Sequence, residues 1–162
     1  MSVTNAIIHE GLFDIREYLE SKVPGVVFEV SNTNTIEYFL GERYADKALI
    51  VLLEFVGIRI EKPSINSTKA VRFIPRISAQ VYSAVLNDNE VNFKDCTETW
   101  MSIIKHLNGY ISDYFGKLVV IEQDSTPVET YAQTGNKGYK ISWGMPVEFN
   151  GLFKTNTNTI GE

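Results

Sequence analysis

Two histidines and one cysteine are the side chains of this sequence whose ordinary pKa values lie nearest neutral pH, which makes them the first to weigh as base or nucleophile. His9 falls on the polar side of one helical pattern and His106 beside the apolar stripe of another. Neither belongs to an H-x-x-H or H-E-x-x-H pair that would bring two imidazoles to one metal. Cys96 lies on an apolar stripe with no histidine nearby in sequence to activate it, which reads as a small core hydrophobe. Gly135 to Gly138, "GNKG", has the glycines of a phosphate loop without the strand-then-helix context, and reads as a β-turn. Glu122, Asp124 and Glu129 are scattered carboxylates near a strand end, where solvation is the plain reading. Asn66-Ser67-Thr68 matches a glycosylation sequon, which has meaning only in a secreted chain. The sequence therefore points away from an enzyme, with no catalytic, cofactor or metal residue expected.

Glu54 stands apart from these. It interrupts an apolar segment on the parity that also carries Ile50, Leu52, Val56 and Ile58, and burying a lone carboxylate costs several kcal/mol unless it is paired. Two readings stay open: a place near the sheet edge or pairing with Arg72 or Arg76, and a place in a subunit interface.

The elements around these residues are those of one core. A chain of 162 residues, 44% hydrophobic, suits a single domain. The net charge of −5, with fifteen Lys and Arg spread thinly, argues against sequence-specific nucleic-acid binding. The longest apolar run, Ala48 to Ile58, is about half of what crosses a bilayer, and no membrane partner is expected. The acidic, amphipathic N-terminal stretch lacks the pattern of a signal peptide, so synthesis in the cytoplasm is the expectation.

Ile8, Leu12, Ile15 and Leu19 recur at helical spacing, with Thr4 or Asn5 as cap and Pro24-Gly25 as the stop. Val26 to Val30 reads as a short strand, and Ile36 to Asp46 as loop with a helical turn. From Ala48 to Leu53 both parities are apolar, as in a strand covered on two faces. From Val56 onward only Val56, Ile58 and Ile60 stay apolar against Gly57, Arg59 and Glu61. The partner strand carries Val71, Phe73, Ile77, Ala79, Val81 and Val85 on odd positions. Two such strands make a hairpin about 45–50 Å long at about 3.3 Å per residue, longer than a core of this size covers, so its tip should project. Cys96, Trp100, Ile103, Ile104, Leu107 and Ile111 mark a second helix starting near Asn92 to Asp95 and ending at Asn108-Gly109, or a turn later through "YISDYF". "KLVVIEQ" is a strand, and Tyr139 to Asn150 alternates throughout. Pro146 there cannot donate to a ladder, which implies an end, a bulge or an edge.

The fold class expected is α+β: a mostly antiparallel sheet with a long projecting hairpin and two main helices on one face. Residues 1–153 are expected to form one domain with an arm near 57–72, and the polar stretch 154–162 reads as a flexible tail or as an arm that only a partner orders.

Three segments, "ALIVLLEFVGIRIEKP" followed by "RFIPRISAQVYSAV", "CTETWMSIIKHLNG", and "GYKISWGMPVEF", together resemble the tail terminator (tail completion) proteins of bacteriophages and related contractile injection particles. The resemblance implies a structural virion protein, made in the host cytoplasm, that forms a ring, expected to be a hexamer, on the last tube ring. Its partners would be other copies of itself, the tail tube protein and the head–tail connector protein, with DNA free to pass through the ring. The arm residues Ile58, Ile60, Lys62, Pro63, Ile65, Lys69 and Arg72, together with Glu54, are the expected subunit interface. Two other readings compete: another tail or connector subunit, and a small-ligand-binding α+β domain with a pocket lined by Trp143, Tyr139, Phe73 and Trp100.

Overall fold

In the computed structural model of the chain, residues 3–30, 49–61, 71–84, 89–126, 128–133, 139–152 and 159–160 are described. The chain is α+β. Helix α1 spans Val3–Lys22 and α2 Asn89–Leu107. The strands are β1 (Val27–Val30), β2 (Leu49–Glu61), β3 (Val71–Ala84), β4 (Ile111–Ser112), β5 (Gly116–Val120), β6 (Val128–Gln133), β7 (Tyr139–Leu152) and β8 (Thr159–Ile160). They form one sheet in the order β1-β2-β3-β7-β5-β4, with β6 also on β7 and β8 also on β3. Pairing is antiparallel throughout except β1 with β2, which is parallel.

Both helices start earlier than their patterns suggest. Thr4 and Asn5 lie inside the first turn of α1 rather than before it, and α2 begins at Asn89 instead of at Asn92 or later. Apolar periodicity is read from the core stripe and does not by itself fix where a helix begins. At the other end, Leu19 still accepts from the Val23 amide at 2.8 Å, and Gly25 follows in the left-handed region.

One buried cluster joins Leu12, Ile15 and Leu19 of α1, Cys96, Ile103 and Leu107 of α2, and a strand set. The strand set includes Phe28 and Val30, Val51 and Leu53, Ile77, Ala79 and Val81, and Met145, Val147 and Phe149. Within each strand these residues share a parity, as the two-residue period of a pleated strand requires. The opposite parity of β2 is buried too, at Ile50 and Leu52, so the uninterrupted apolar run is indeed covered on both faces. Trp100 and Ile104 pack on the cluster while remaining partly exposed.

After α2 the chain departs from expectation. "YISDYF" adds no helical turn: Ile111–Ser112 pairs back on Gly116 and Lys117 as a small antiparallel unit. The Ser112 hydroxyl accepts from the Tyr114 and Phe115 amides at 3.1 and 3.2 Å, so the turn has its own hydrogen bonds. A strand absent from the sequence reading, β6, lines β7 from Tyr139 to Gly144. Its six residues alternate weakly and follow a loop, which hides them from a periodicity scan.

Strand β7 neither ends nor bulges at Pro146. β3 pairs with it from Ser142 to Asn150, while on its other side β6 stops at Gly144 and β5 begins at Phe149. Proline falls opposite that gap. Its carbonyl accepts from Trp100 Nε1 at 2.9 Å and from Ser125 Oγ at 3.3 Å, so this side of the residue faces helix and loop instead of a ladder. Five residues on, a Cβ at Gly151 would lie 2.3 Å from the Phe115 carbonyl oxygen; only glycine lets the β4–β5 turn approach β7 this closely.

Candidate subunit interface

The outer half of the β2–β3 pair is shaped by one residue. Phe55 stands opposite Ile77, but Gly57 stands opposite Arg76, so Val56 is an extra residue in β2 and forms a bulge. Gly57 has φ 155°, a value that side chains rarely adopt. Such a bulge reverses parity. Before it, Val51, Leu53 and Phe55 share a face with Val81, Ala79 and Ile77; after it, Ile58 and Ile60 join that same face opposite Pro75 and Phe73.

This corrects the sequence reading of Glu54. Glu54 lies on the same face as Ile50 and Leu52, whereas Ile58 and Ile60 lie on the face that carries Leu53, because a two-residue period cannot be read through an inserted residue. The carboxylate is half-buried, and it finds a neutral partner: Gln80 Nε2 donates to Glu54 Oε2 at 2.9 Å, and the Tyr82 hydroxyl donates to Gln80 Oε1 at 2.5 Å. Arg76, one of the two expected partners, pairs diagonally across the sheet with Glu148 at 2.5 Å. Glu54 is thus on the opposite face from Ile58 and Ile60, and the sequence-derived set does not form one patch.

On the core-bearing face, the apolar sequence outlasts the burial. Ile58 is 46% exposed and Ile60 64%, with Val56 of the bulge at 45%, while Phe73 and Pro75 across the ladder are half-buried. Three large aliphatic groups in water within five residues are more than scattered surface hydrophobes. Arg59 and Glu61, on the other face, form an exposed ion pair along the strand. Arg72 is placed by its backbone opposite Glu61 and Thr159. Lys62, Pro63, Ile65 and Lys69 lie outside the described residues. Val56, Pro75 and Phe73 are the additions that structure makes to the site. A glycine inside a strand pattern was the available signal for the bulge.

The reactive candidates stay apart. Cys96 is fully buried, its thiol directed at the Val81 carbonyl at 3.8 Å, and burial pushes its pKa up to about 12, away from the thiolate a nucleophile needs. His9 packs edge-on against Phe13, and the His106 carbonyl accepts from the Tyr18 hydroxyl. Glu122 and Asp124 are exposed, and the Glu129 side chain lies outside the described set. Among the described residues no group of three or more His, Cys, Asp or Glu is placed to hold a metal, and no helix is long and apolar enough to cross a membrane. Of the aromatic quartet, Tyr139 and Trp143 have side chains outside the described set, and Trp100 is held by its bond to Pro146.

A polar surface of different character surrounds the start of β4. Tyr110 stacks on Tyr18 with centroids 4.1 Å apart and donates to Asp14 Oδ2 at 3.1 Å. Burial, then that bond and nearby carboxylates, pushes its pKa up to about 12. These contacts tie α1 to the segment after α2, and so serve the fold.

Compared with known proteins, the chain matches no family model and no curated sequence.

Proposed function

We propose that this chain is a structural subunit of a bacteriophage tail, a tail terminator whose copies close into a ring on the end of the tube and meet the head connector on the other side. In this reading both helices cover one face of the sheet, and β2 and β3 run past that cover as a projecting hairpin. Ile58 and Ile60 carry the reading: they continue the core-bearing face of the hairpin beyond the bulge and remain in water, as a surface awaiting another subunit does. A ring needs two different patches that meet head to tail, and an arm longer than its own core supplies one of them. Synthesis is in the host cytoplasm and the final place is the virion.

The experiment is electron microscopy of the purified protein at high concentration and after mixing with tail tubes, with six-fold rings or capped tube ends expected. Replacing Ile60 to Lys69 by Asn-Gly, a sequence suited to a tight hairpin, should abolish rings and caps while leaving circular dichroism and the cooperative melt nearly unchanged. Rings that survive the replacement, or a variant that unfolds, would place the hairpin end in the subunit's own structure.

A further inference from the structure

The far end of the hairpin carries a second feature. β8 pairs with β3 there, Thr159 opposite Arg72 and Ile160 opposite Val71. β2 already occupies one edge of β3 over this stretch, with Glu61 opposite Arg72, so β8 sits on the edge that β7 lines further in, as far as Asn150 opposite Arg76. Both β7 and β8 run antiparallel to β3 and so run in the same direction. β8 is a resumption of β7 along one edge. Continuing the β7 register would bring residue 154 opposite Arg72; Thr159 stands there instead, so the connection contains five residues more than a continuous strand needs.

We propose that β8 is an exchangeable strand: in dilute solution it pairs with its own β3, and when copies associate the C-terminal strand of a second copy takes the same edge. Three observations carry this. A ladder of two residue pairs contributes little and opens readily, so the bond to its own chain is easily given up. The count of five surplus residues supplies the chain length that strand exchange requires. The edge it covers is the one facing away from β2, one strand from the exposed Ile58 and Ile60, since Arg72 stands between Glu61 and Thr159; a copy docked on that apolar stripe stands within reach of this edge. An uncovered edge is a template for uncontrolled pairing, so the resident strand also guards the free subunit. Its advantage there is effective concentration, which association with a second copy cancels. The proposal rests on the ring reading for the event that brings copies together, and its test separates the two.

Cysteines are introduced in a Cys96→Ala background at either register pair, Arg72→Cys with Thr159→Cys or Val71→Cys with Ile160→Cys, so that the geometry of one pair does not decide the result. With both cysteines in one chain, oxidation in dilute solution should give a disulfide within the chain. With the two cysteines on separate chains, mixed at the highest soluble concentration, a disulfide between chains should form at least tenfold more than in a control mixture pairing Thr159→Cys with Lys105→Cys, an exposed site on α2. Failure of the first disulfide at both pairs removes β8 from β3, and an interchain yield no higher than the control removes the exchange; either overturns the proposal. Rings in the microscope without interchain disulfides would leave the ring reading standing and the exchange refuted, and interchain disulfides without rings would do the reverse.

Discussion

Replacing Ile58 and Ile60 together by threonine puts the apolar stripe to the test without disturbing the strand, because threonine keeps the β-branch that suits a pleated backbone. Their exposed fractions, 46% and 64%, add up to slightly more than one whole isoleucine surface. Full burial of one such side chain is worth about 1.5–3 kcal/mol, so a neighbour covering both gains about 2–3 kcal/mol per contact. Loss of most of this weakens each contact by roughly 30- to 100-fold in its association constant. The fold should notice much less. The parts of the two side chains already covered are about one isoleucine in sum, and threonine retains some of that contact, so the expected cost is about 1 kcal/mol, a fall in Tm of about 2–4 °C for a chain of this size. Sedimentation velocity over a concentration series reads the first effect and a thermal melt the second, and counting capped tube ends extends the comparison to a chain that assembles only on tubes. The reasoning is refuted if the double variant associates at the wild-type concentration. It is refuted equally if the melt drops by far more than this, since the stripe would then belong to the subunit's own core.

Gly151→Ala should be strongly destabilising, by about 3 kcal/mol or more, because the added methyl meets the Phe115 backbone carbonyl and Pro75 at once and neither can step aside cheaply; a denaturant titration checks it, and an unchanged midpoint would refute the close approach. Cys96 gives an alkaline signature. Burial holds its thiol pKa at about 12 in the fold against an ordinary value of 9.0, so the unfolded chain loses this proton first and stability falls as pH rises from about 9 towards 12. Cys96→Ala should flatten that limb of the stability curve at a cost of about 1 kcal/mol near neutral pH, and a limb of unchanged steepness would assign the alkaline loss to other groups.

Much of this molecule follows from its pattern of residue types. The four-three-four spacing of Ile8, Leu12, Ile15 and Leu19 places a helix face on the core, the double apolar parity of Ile50 to Leu53 demands cover on both sides, and the alternation through Val147 and Phe149 marks the last long strand. These are local periodicities, and burial alone creates them. What lay beyond them depended on contacts distant along the chain. Nothing local says that β1 pairs parallel to β2, that Pro146 faces a gap between two partner strands, or that Glu54 finds Gln80 before an arginine. The bulge at Val56 shows the limit most clearly. One inserted residue leaves the alternation of Val56, Ile58 and Ile60 unbroken on the page, yet it turns Ile58 and Ile60 to the other face of the sheet. The sequence alone determined that an apolar stripe leaves the core along β2. Only the pairing of β2 with β3 decided which face carries it, because register belongs to two strands together and is written in neither.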